Sequence, residues 1–158
     1  MSIPLIQQVT EQLAERGETV TCAESCTGGL LAAEFTRLPG SSAWFETGFI
    51  TYSDQAKQQL LNVNAATLRH YGAVSEETVR EMCLGALIAA KADYSLSISG
   101  IAGPDGGSED KPVGTGWFGL ATKQRIWAKQ HLFEGDREAI RRQSVQFALL
   151  LLKRYLER

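Results

Sequence analysis

Two glycine-rich segments, each directly after a predicted β-strand, most constrain how this chain can fold. The first, residues 24–29, follows a strand predicted over residues 18–23 and precedes a helix predicted over residues 30–35. The second, residues 100–116, holds six glycines and two prolines in seventeen positions, so it cannot form regular structure. It follows a strand predicted over residues 95–99. Because ligands bind beyond the carboxyl ends of strands in open α/β sheets, parallel strands here would bring both loops to one binding edge.

Strands and helices alternate along the rest of the chain. Further strands are predicted over residues 45–52, 117–122 and 126–133, and further helices over residues 4–16, 54–61, 76–91 and 136–155. Gly17 is placed to end the first helix, and the predicted helix-capping residues are Asp54, Ser75 and Asp136. The pattern predicts a single α/β domain over residues 1–158, with α/β/α layers and a mixed sheet that adds an antiparallel hairpin to a parallel first half.

Charge and hydropathy exclude several classes of partner. The 16 Lys and Arg residues against 18 Asp and Glu give a formal net charge of -2, so no general field recruits nucleic acid. The longest apolar run, residues 147–152, is too short to span a bilayer, and the N-terminal segment lacks the apolar block of a secretory signal. We therefore expect a cytoplasmic protein with no nucleic-acid partner and no membrane partner.

The cysteine content gives no sign of a redox or metal site. Cys22, Cys26 and Cys83 form an odd set whose nearest pair has the spacing C-x3-C, unlike a C-x-x-C redox motif or a zinc knuckle. Only His70 and His131 are available to complete a metal site. We expect buried free thiols and no bound metal.

Ser25 is a candidate nucleophile in the first glycine loop. The backbone N–H groups that follow it, at Cys26, Thr27, Gly28 and Gly29, stand at a predicted helix N-terminus and suit an anion or a developing oxyanion. The alternative is that Ser25 or Thr27 only caps the helix. From position alone the cap is favoured, because serine caps are far more common than serine nucleophiles.

A nucleophilic serine needs a base, and Lys57 is the candidate because both histidines lie outside the glycine loops. Lys57 falls in the first turn of a predicted helix, whose dipole disfavours protonation by only ~0.3–1 kcal/mol. Lowering a lysine pKa from ~10.4 to the ~7–8 of a useful base requires ~3–5 kcal/mol, so burial must supply most of it. The alternative is an exposed surface lysine. Tyr52 could bring its hydroxyl to the same place or fill core space.

Two arginines of the last helix are candidate anion ligands. At roughly 100° per residue, Arg137 and Arg141 lie on or beside the predicted inward face, whereas Arg142 points away and is expected to be solvated. Inward arginines require an anion, which is either a ligand phosphate or a carboxylate such as Glu134 or Glu138. The sequence leaves both alternatives open.

The same helical projection predicts which apolar residues of the last helix face the core. The predicted inward set is Phe147, Ala148, Leu151 and Tyr155. Leu149 and Leu150 fall off this set, so we expect them to be available for a subunit contact in a homo-oligomer.

Several motifs together resemble the CinA C-terminal domain family over nearly the whole chain. They are AESCTGG at residues 23–29, GFITYS at 48–53, Lys57, GAVS at 72–75 and SGIAGPDGG at 99–107. The resemblance implies hydrolysis of the carboxamide of nicotinamide mononucleotide to nicotinate mononucleotide and ammonia, a step in pyridine nucleotide salvage. By position it implies Ser25 as nucleophile, Lys57 as its base and Tyr52 as an assisting residue, with no cofactor and no metal.

With this chemistry, the two glycine loops supply the expected substrate contacts. The backbone of residues 26–29 or of Gly100, Ile101, Ala102 and Gly103 is expected to hold the oxyanion. A rival interpretation is a non-catalytic nucleotide-binding regulatory module linked to competence or DNA damage, which needs the loops but has no use for Lys57. A phosphotransferase is weaker, because neither loop matches G-x-x-x-x-G-K-[ST].

Overall fold

A computed structural model describes residues 3–158 and contains one five-stranded sheet with six α-helices. The strands are β1 (Val20–Glu24), β2 (Phe49–Ile50), β3 (Tyr94–Gly100), β4 (Thr115–Ala121) and β5 (Ile126–Leu132). The helices are α1 (Leu5–Arg16), α2 (Leu30–Phe35), α3 (Asp54–Leu61), α4 (Ala65–Tyr71), α5 (Glu76–Ala90) and α6 (Arg137–Leu156).

The sheet has the strand order β2-β1-β3-β4-β5 and is mixed. Strand β1 runs parallel to both β2 and β3, whereas β4 pairs antiparallel with β3 and with β5. At the carboxyl end of β1, Glu24 lies opposite Ile50 on one side and Ile98 on the other. The loops that follow β1, β2 and β3 therefore begin at one edge of the sheet, which confirms the predicted mixed α/β architecture and the shared edge.

Helices cover both faces of the sheet and give the predicted α/β/α layers. On one face, α5 packs across β1, β3, β4 and β5, and α3 and α4 pack against α5. On the other face lie α1, α2 and α6, with a core that includes Leu13, Phe35 and Leu152, all fully buried. Burial of apolar side chains on both faces explains why β1 and β3 are almost continuously buried.

A close approach of helices fixes where α3 sits. Gly85 of α5 lies against the carbonyl of Leu61, the last residue of α3, and a Cβ atom at position 85 would overlap that oxygen. Only glycine allows this contact. The position of α3 matters because this helix carries Lys57.

The strand predicted over residues 45–52 is wrong in extent, since only Phe49–Ile50 form β2. The aromatic residues before it pack against α2 instead of extending a strand. The rings of Phe45 and Phe35 are stacked with centroids 5.7 Å apart, and the Trp44 indole N–H donates to the Phe35 carbonyl at 2.8 Å. Aromatic content predicted a strand here, but tertiary packing uses these side chains differently.

Most helix ends agree with the predicted capping residues. Gly17 is left-handed with φ 64°, and the hydroxyl of Ser75 and the carboxylate of Asp136 accept backbone N–H groups of α5 and α6. The prediction that Asp54 caps α3 is wrong. Ser53 caps this helix by accepting the Ala56 N–H at 3.0 Å, and Asp54 is its first residue. Helix α4 was not predicted, because seven residues are too few to show a clear helical period.

The buried face of α6 is wider than the predicted inward set. Leu149 is fully buried, so its assignment to a subunit contact is wrong, while Leu150 is half-buried. The reason is that α6 packs against α1 as well as against the sheet, so two neighbours bury a broad arc of its surface. Within residues 3–158 no helix is both long and apolar enough to cross a membrane.

Candidate active site

The side chains of Ser25 and Lys57 meet at the shared edge of the sheet. Ser25 follows β1 directly, Lys57 lies in the first turn of α3, and the Lys57 Nζ lies 2.9 Å from the Ser25 Oγ. Lys57 is fully buried and Ser25 is 8% exposed, so the alternative of a surface lysine is wrong. The cap alternative for Ser25 is wrong too, because α2 begins after Gly29 with no side-chain cap from the loop hydroxyls.

The remaining contacts of Lys57 suit a neutral amine. Its Nζ donates to the backbone carbonyls of Thr51 at 2.9 Å and Tyr52 at 3.0 Å. Carbonyl oxygens only accept hydrogen bonds, and a neutral amine has two N–H groups and one lone pair. With both N–H groups directed to carbonyls, the lone pair is left for the hydroxyl proton of Ser25. This arrangement makes Lys57 a geometrically suitable proton acceptor.

Burial lowers the pKa of Lys57 from its ordinary value of 10.5, because the charged ammonium loses its hydration. The charge of Asp54 and then that of Cys26 oppose this effect by raising the pKa. Lys57 forms no salt bridge with any residue between 3 and 158. Desolvation without a paired carboxylate is the condition that releases a lysine proton nearer neutral pH.

The hydroxyl of Ser25 has a second acceptor, the Tyr52 carbonyl at 3.4 Å. When Lys57 carries three protons, the Ser25 hydroxyl can donate to this carbonyl while its oxygen accepts from Nζ. Once Lys57 is neutral, the same proton can turn toward the amine. The site therefore accommodates both protonation states of the pair without moving any heavy atom.

The first glycine loop presents backbone N–H groups beside Ser25. The N–H of Ser25 donates to the Ile98 carbonyl at 3.0 Å, and the N–H of Gly28 donates to the Ser25 carbonyl at 3.1 Å. The N–H groups of Cys26, Thr27 and Gly29 have no acceptor within the described part of the chain. Because Thr27 is fully buried, the N–H groups of Cys26 and Gly29 are the candidate donors to an anionic or oxyanionic group.

Glu24, whose role was not predicted from the sequence, binds the first turn of the helix that follows this loop. Its carboxylate is fully buried and accepts the N–H groups of Leu31 at 2.9 Å and Ala32 at 3.0 Å, in the first turn of α2. A carboxylate at a helix N-terminus satisfies unpaired donors and interacts favourably with the helix dipole. The signal available in the sequence was an acidic residue at the end of an apolar strand.

The second glycine loop packs against the first. Gly100 lies so close to the Cys26 thiol that a Cβ atom there would come within 3.3 Å of the sulfur. The N–H of Ile101 donates to the Thr115 carbonyl at 2.9 Å, so Ile101 has no free backbone donor for an oxyanion. Ala102 is buried, and its neighbour Gly103 presents its carbonyl toward α6.

Arg137 connects the second loop to Tyr52. One guanidinium nitrogen donates to the Gly103 carbonyl at 2.8 Å, and the other terminal nitrogen donates to the Tyr52 hydroxyl at 3.2 Å. Tyr52 is 60% exposed, so it does not fill core space. Its hydroxyl lies at Arg137, whereas its backbone carbonyl contacts Lys57. Within residues 3–158 the Tyr52 hydroxyl forms no hydrogen bond with Ser25 or Lys57, and its assisting role stays a prediction.

Arg141 contacts the first loop. Its Nε donates to the Cys26 carbonyl at 3.0 Å and its Nη2 to the Thr27 carbonyl at 3.3 Å. Arg141 thus has two backbone carbonyls as partners, whereas Arg137 has one, and neither forms an ion pair with Glu134 or Glu138. Glu138 instead pairs with Arg142 at 2.7 Å on the exposed side of α6, as expected for a solvated arginine. The two inward arginines therefore join α6 to both glycine loops.

The Cys26 thiol, next to Ser25, is a poor competitor for the role of nucleophile. Burial raises its pKa to about 11, and the nearby charges of Arg141 and Lys57 only partly oppose this. Because the thiolate is the nucleophilic form, Cys26 is inert near neutral pH. Cys22 and Cys83 are also buried and free, as predicted. Over residues 3–158 there is no cluster of three His, Cys, Asp or Glu side chains that could hold a metal.

Comparison with known proteins identifies the family. The family model described as the CinA C-terminal domain matches residues 3–156. This chain belongs to the CinA C-terminal domain family. Over 149 residues it is 57% identical to the nicotinamide-nucleotide amidohydrolase PncC of Escherichia coli K12, covering 94% of this chain and 90% of that protein.

Other members of the CinA family carry different names and lengths. A putative competence-damage inducible protein of Symbiobacterium thermophilum is 47% identical over 96% of this chain, which matches only 38% of that longer protein. A crystal structure of a CinA superfamily protein from Klebsiella pneumoniae 700603 superimposes with a TM-score of 0.94 at 43% identity, covering 97% and 96% of the two chains. The fold described above is thus that of a CinA domain.

Proposed function

We propose that this chain hydrolyses the carboxamide of nicotinamide mononucleotide to nicotinate mononucleotide and ammonia, with Ser25 as nucleophile and Lys57 as base. The observation that carries the mechanism is the 2.9 Å contact between the Ser25 Oγ and a fully buried Lys57. The substrate is supported by the name of the 57% identical relative, a nicotinamide-nucleotide amidohydrolase. Such a reaction belongs to pyridine nucleotide salvage.

In the acylation half-reaction, the Ser25 Oγ attacks the carboxamide carbon while its proton passes to the lone pair of Lys57. The carbonyl oxygen becomes an oxyanion, and the unpaired N–H groups of Cys26 and Gly29 are its proposed donors. The protonated Lys57 then donates to the amide nitrogen as the C–N bond breaks. Ammonia leaves, and an ester joins the substrate carbonyl to Ser25.

Deacylation follows the same route with water as the nucleophile. Lys57 takes a proton from water as its oxygen adds to the ester carbon, and returns that proton to the Ser25 Oγ as the C–O bond breaks. The product leaves as the carboxylic acid, which gives its proton to solvent or to the released ammonia to become the carboxylate, and the pair regains its starting protonation state. Each proton is thus transferred through Lys57, so no metal or cofactor is required by this scheme.

Arg137 and Tyr52 are the proposed ligands for the distal part of the nucleotide. Both side chains are exposed and are joined by a hydrogen bond at the same edge of the sheet as Ser25. The Arg137 guanidinium has five N–H donors and uses two of them in the structure, which leaves donors for the substrate phosphate.

The test is ammonia release from nicotinamide mononucleotide by Ser25→Ala, with Ser42→Ala as the control at an exposed serine. Ser25→Ala is expected to lose at least ~10³-fold in kcat, because no ester can form, while still binding the nucleotide. Acid quench of the wild-type reaction followed by intact mass measurement should detect the acyl-enzyme. Wild-type rates from Ser25→Ala would contradict the mechanism. Nucleotide binding without ammonia release by the wild type would favour a regulatory module instead.

A further inference from the structure

We propose that Arg141 is a positioning residue that holds the Ser25 loop in its reactive shape, and that it does not bind the substrate phosphate. The inference builds on the proposed amidase function. The sequence places both Arg137 and Arg141 near the inward side of α6 and suggests the same anion-binding role for both. We assign them different roles.

The partners of Arg141 are main-chain atoms of the first glycine loop. Its Nε and Nη2 donate to the carbonyls of Cys26 and Thr27 at 3.0 and 3.3 Å, and the side chain is half-buried between α6 and the loop. Arg141 forms no salt bridge with any described residue. Two consecutive carbonyls thus occupy the Nε–Nη2 edge of the guanidinium, one of the edges that can bind a phosphate in a bidentate manner, and the half-buried Arg141 is held against the loop, whereas Arg137 is exposed.

Holding these carbonyls fixes the direction of the N–H groups that follow them. The carbonyl of Cys26 and the N–H of Thr27 belong to one planar peptide and point in opposite directions. Because the carbonyl is turned toward Arg141, the Thr27 N–H is turned away from it. That N–H is one of the loop donors with no acceptor in residues 3–158. In the next peptide the Thr27 carbonyl is turned toward Arg141 and the Gly28 N–H points to the Ser25 carbonyl, so Arg141 fixes both peptides of the turn that carries Ser25.

The loop is shaped to admit the guanidinium. Gly28 has φ 55°, and a Cβ atom at this position would lie 3.2 Å from the Arg141 Nη2. Its N–H donates to the Ser25 carbonyl, which closes the turn around the nucleophile. A glycine that leaves room for Arg141 and a turn that includes Ser25 indicate that the contact is built into the loop.

Arg137 differs from Arg141 in each of these respects. It is exposed, it contacts only one carbonyl, and its other partner is the exposed Tyr52 hydroxyl. Arg137 is therefore the arginine suited to the phosphate, and it provides the contrast needed to test Arg141.

The experiment compares Arg141→Met with Arg137→Met and with Arg142→Met, the control for loss of an exposed charge on the same helix. Two readouts are used: kcat and KM for ammonia release from nicotinamide mononucleotide, and the rate at which a small fluorophosphonate phosphonylates Ser25. In the second reaction the Ser25 oxygen bonds to phosphorus and fluoride leaves. Because this reagent carries no nucleotide, the reaction reports on the serine and its loop without substrate recognition.

We expect Arg141→Met to lower both kcat and the phosphonylation rate by about 100-fold, the typical effect of a misplaced oxyanion donor or reacting group, with less than about a threefold change in KM. Arg137→Met should raise KM by about tenfold or more and leave phosphonylation unchanged. Arg142→Met should match the wild type in both readouts. Normal phosphonylation of Arg141→Met together with a raised KM would overturn the inference.

Two further outcomes are decided by the same design. If Arg141→Met does not fold, Arg141→Lys is measured instead, since lysine keeps the charge but cannot bridge two carbonyls, and wild-type phosphonylation of this variant would overturn the inference. If the wild type is phosphonylated at Ser25 but releases no ammonia, the proposed substrate fails while phosphonylation still decides the role of Arg141. A wild-type Ser25 that does not react overturns both.

Discussion

Lys57 combines two properties that rarely occur together in a lysine: it is fully buried, and it has no carboxylate partner among residues 3–158. Its position four residues after the Ser53 cap adds the weak effect of the α3 dipole, about 0.3–1 kcal/mol, against protonation. Loss of hydration is the largest cause of its lowered pKa. In the proposed mechanism, the reactivity of Ser25 therefore depends on keeping water away from the amine.

The pH dependence of activity should follow the ionisation of Lys57. Below its pKa the amine is protonated and cannot accept the Ser25 proton, so kcat/KM should rise with pH through one ionisation with a midpoint below 10.5. Lys57→Arg should be inactive over about pH 6 to 10, because a guanidinium does not deprotonate there. A flat profile for the wild type, or wild-type activity in Lys57→Arg, would contradict the assignment of the base.

The lowered pKa of Lys57 also predicts how the stability of the fold depends on pH. Between the folded pKa of Lys57 and the ordinary value of 10.5, the unfolded chain binds more protons at this residue than the folded chain does. The contribution of Lys57 to the free energy of unfolding should therefore rise with pH across that window and be constant below it. Urea unfolding of the wild type and of Lys57→Met at several pH values isolates this contribution.

The sequence identifies Ser25 and Lys57 as candidates but cannot decide their roles alone. Cap and surface alternatives were favoured for them by position, and the motif resemblance reversed that order. Glu24 and the carbonyl contacts of Arg141 could not be predicted, because they depend on where main-chain atoms lie after elements distant in sequence have packed. The partners of Arg141 lie more than a hundred residues earlier in the chain.

Gly85 of α5 lies against the last residue of α3, the helix that carries Lys57, and Gly85→Ala tests whether the site depends on this contact. In an exposed helix interior alanine is more favourable than glycine by about 1 kcal/mol. At a position with free space the substitution would therefore raise the free energy of unfolding. Here the added Cβ overlaps the Leu61 carbonyl, so we expect a net loss of about 1–3 kcal/mol in urea unfolding. Displacement of α3 should also lower kcat, because it moves Lys57 relative to Ser25.

Leu84→Ala is the control for this substitution, since Leu84 is the neighbouring residue on the same helix and its side chain is 40% exposed. It is expected to alter stability by less than Gly85→Ala and to leave kcat unchanged. A Gly85→Ala variant that is more stable and fully active would contradict the prediction that this contact positions Lys57.

Elements with a clear period or cap were predictable, whereas short elements defined by packing were not. The long helices α1, α5 and α6 and the hairpin of β4 and β5 agree with the sequence pattern. The extent of β2 and the presence of α4 depend on neighbours, since Phe45 stacks on Phe35 and α4 packs against α5. Leu149 was misassigned for the same reason, because a single helical projection does not reveal a second packing partner.

The three cysteines should report on unfolding of the whole chain. Burial raises the pKa of Cys26 to about 11 and that of Cys83 to about 12, and it also raises the pKa of Cys22. Because reaction requires exposed thiolate, the native protein should react negligibly with a thiol reagent near pH 8, and all three should react in urea. Mass measurement after labelling counts the modified thiols. Fast labelling of Cys26 in the native protein would show that the Ser25 loop opens locally.

Apart from Ser25, every acceptor of the Lys57 amine belongs to the main chain. A side-chain substitution at position 51 or 52 changes a hydroxyl or a ring but leaves the carbonyl oxygen in place. The surroundings of the Lys57 amine are thus set by the path of the backbone, which most single-nucleotide changes in the gene leave unaltered. Substitution of residue 52 therefore changes an exposed ring while both carbonyl acceptors of the Lys57 amine stay in place.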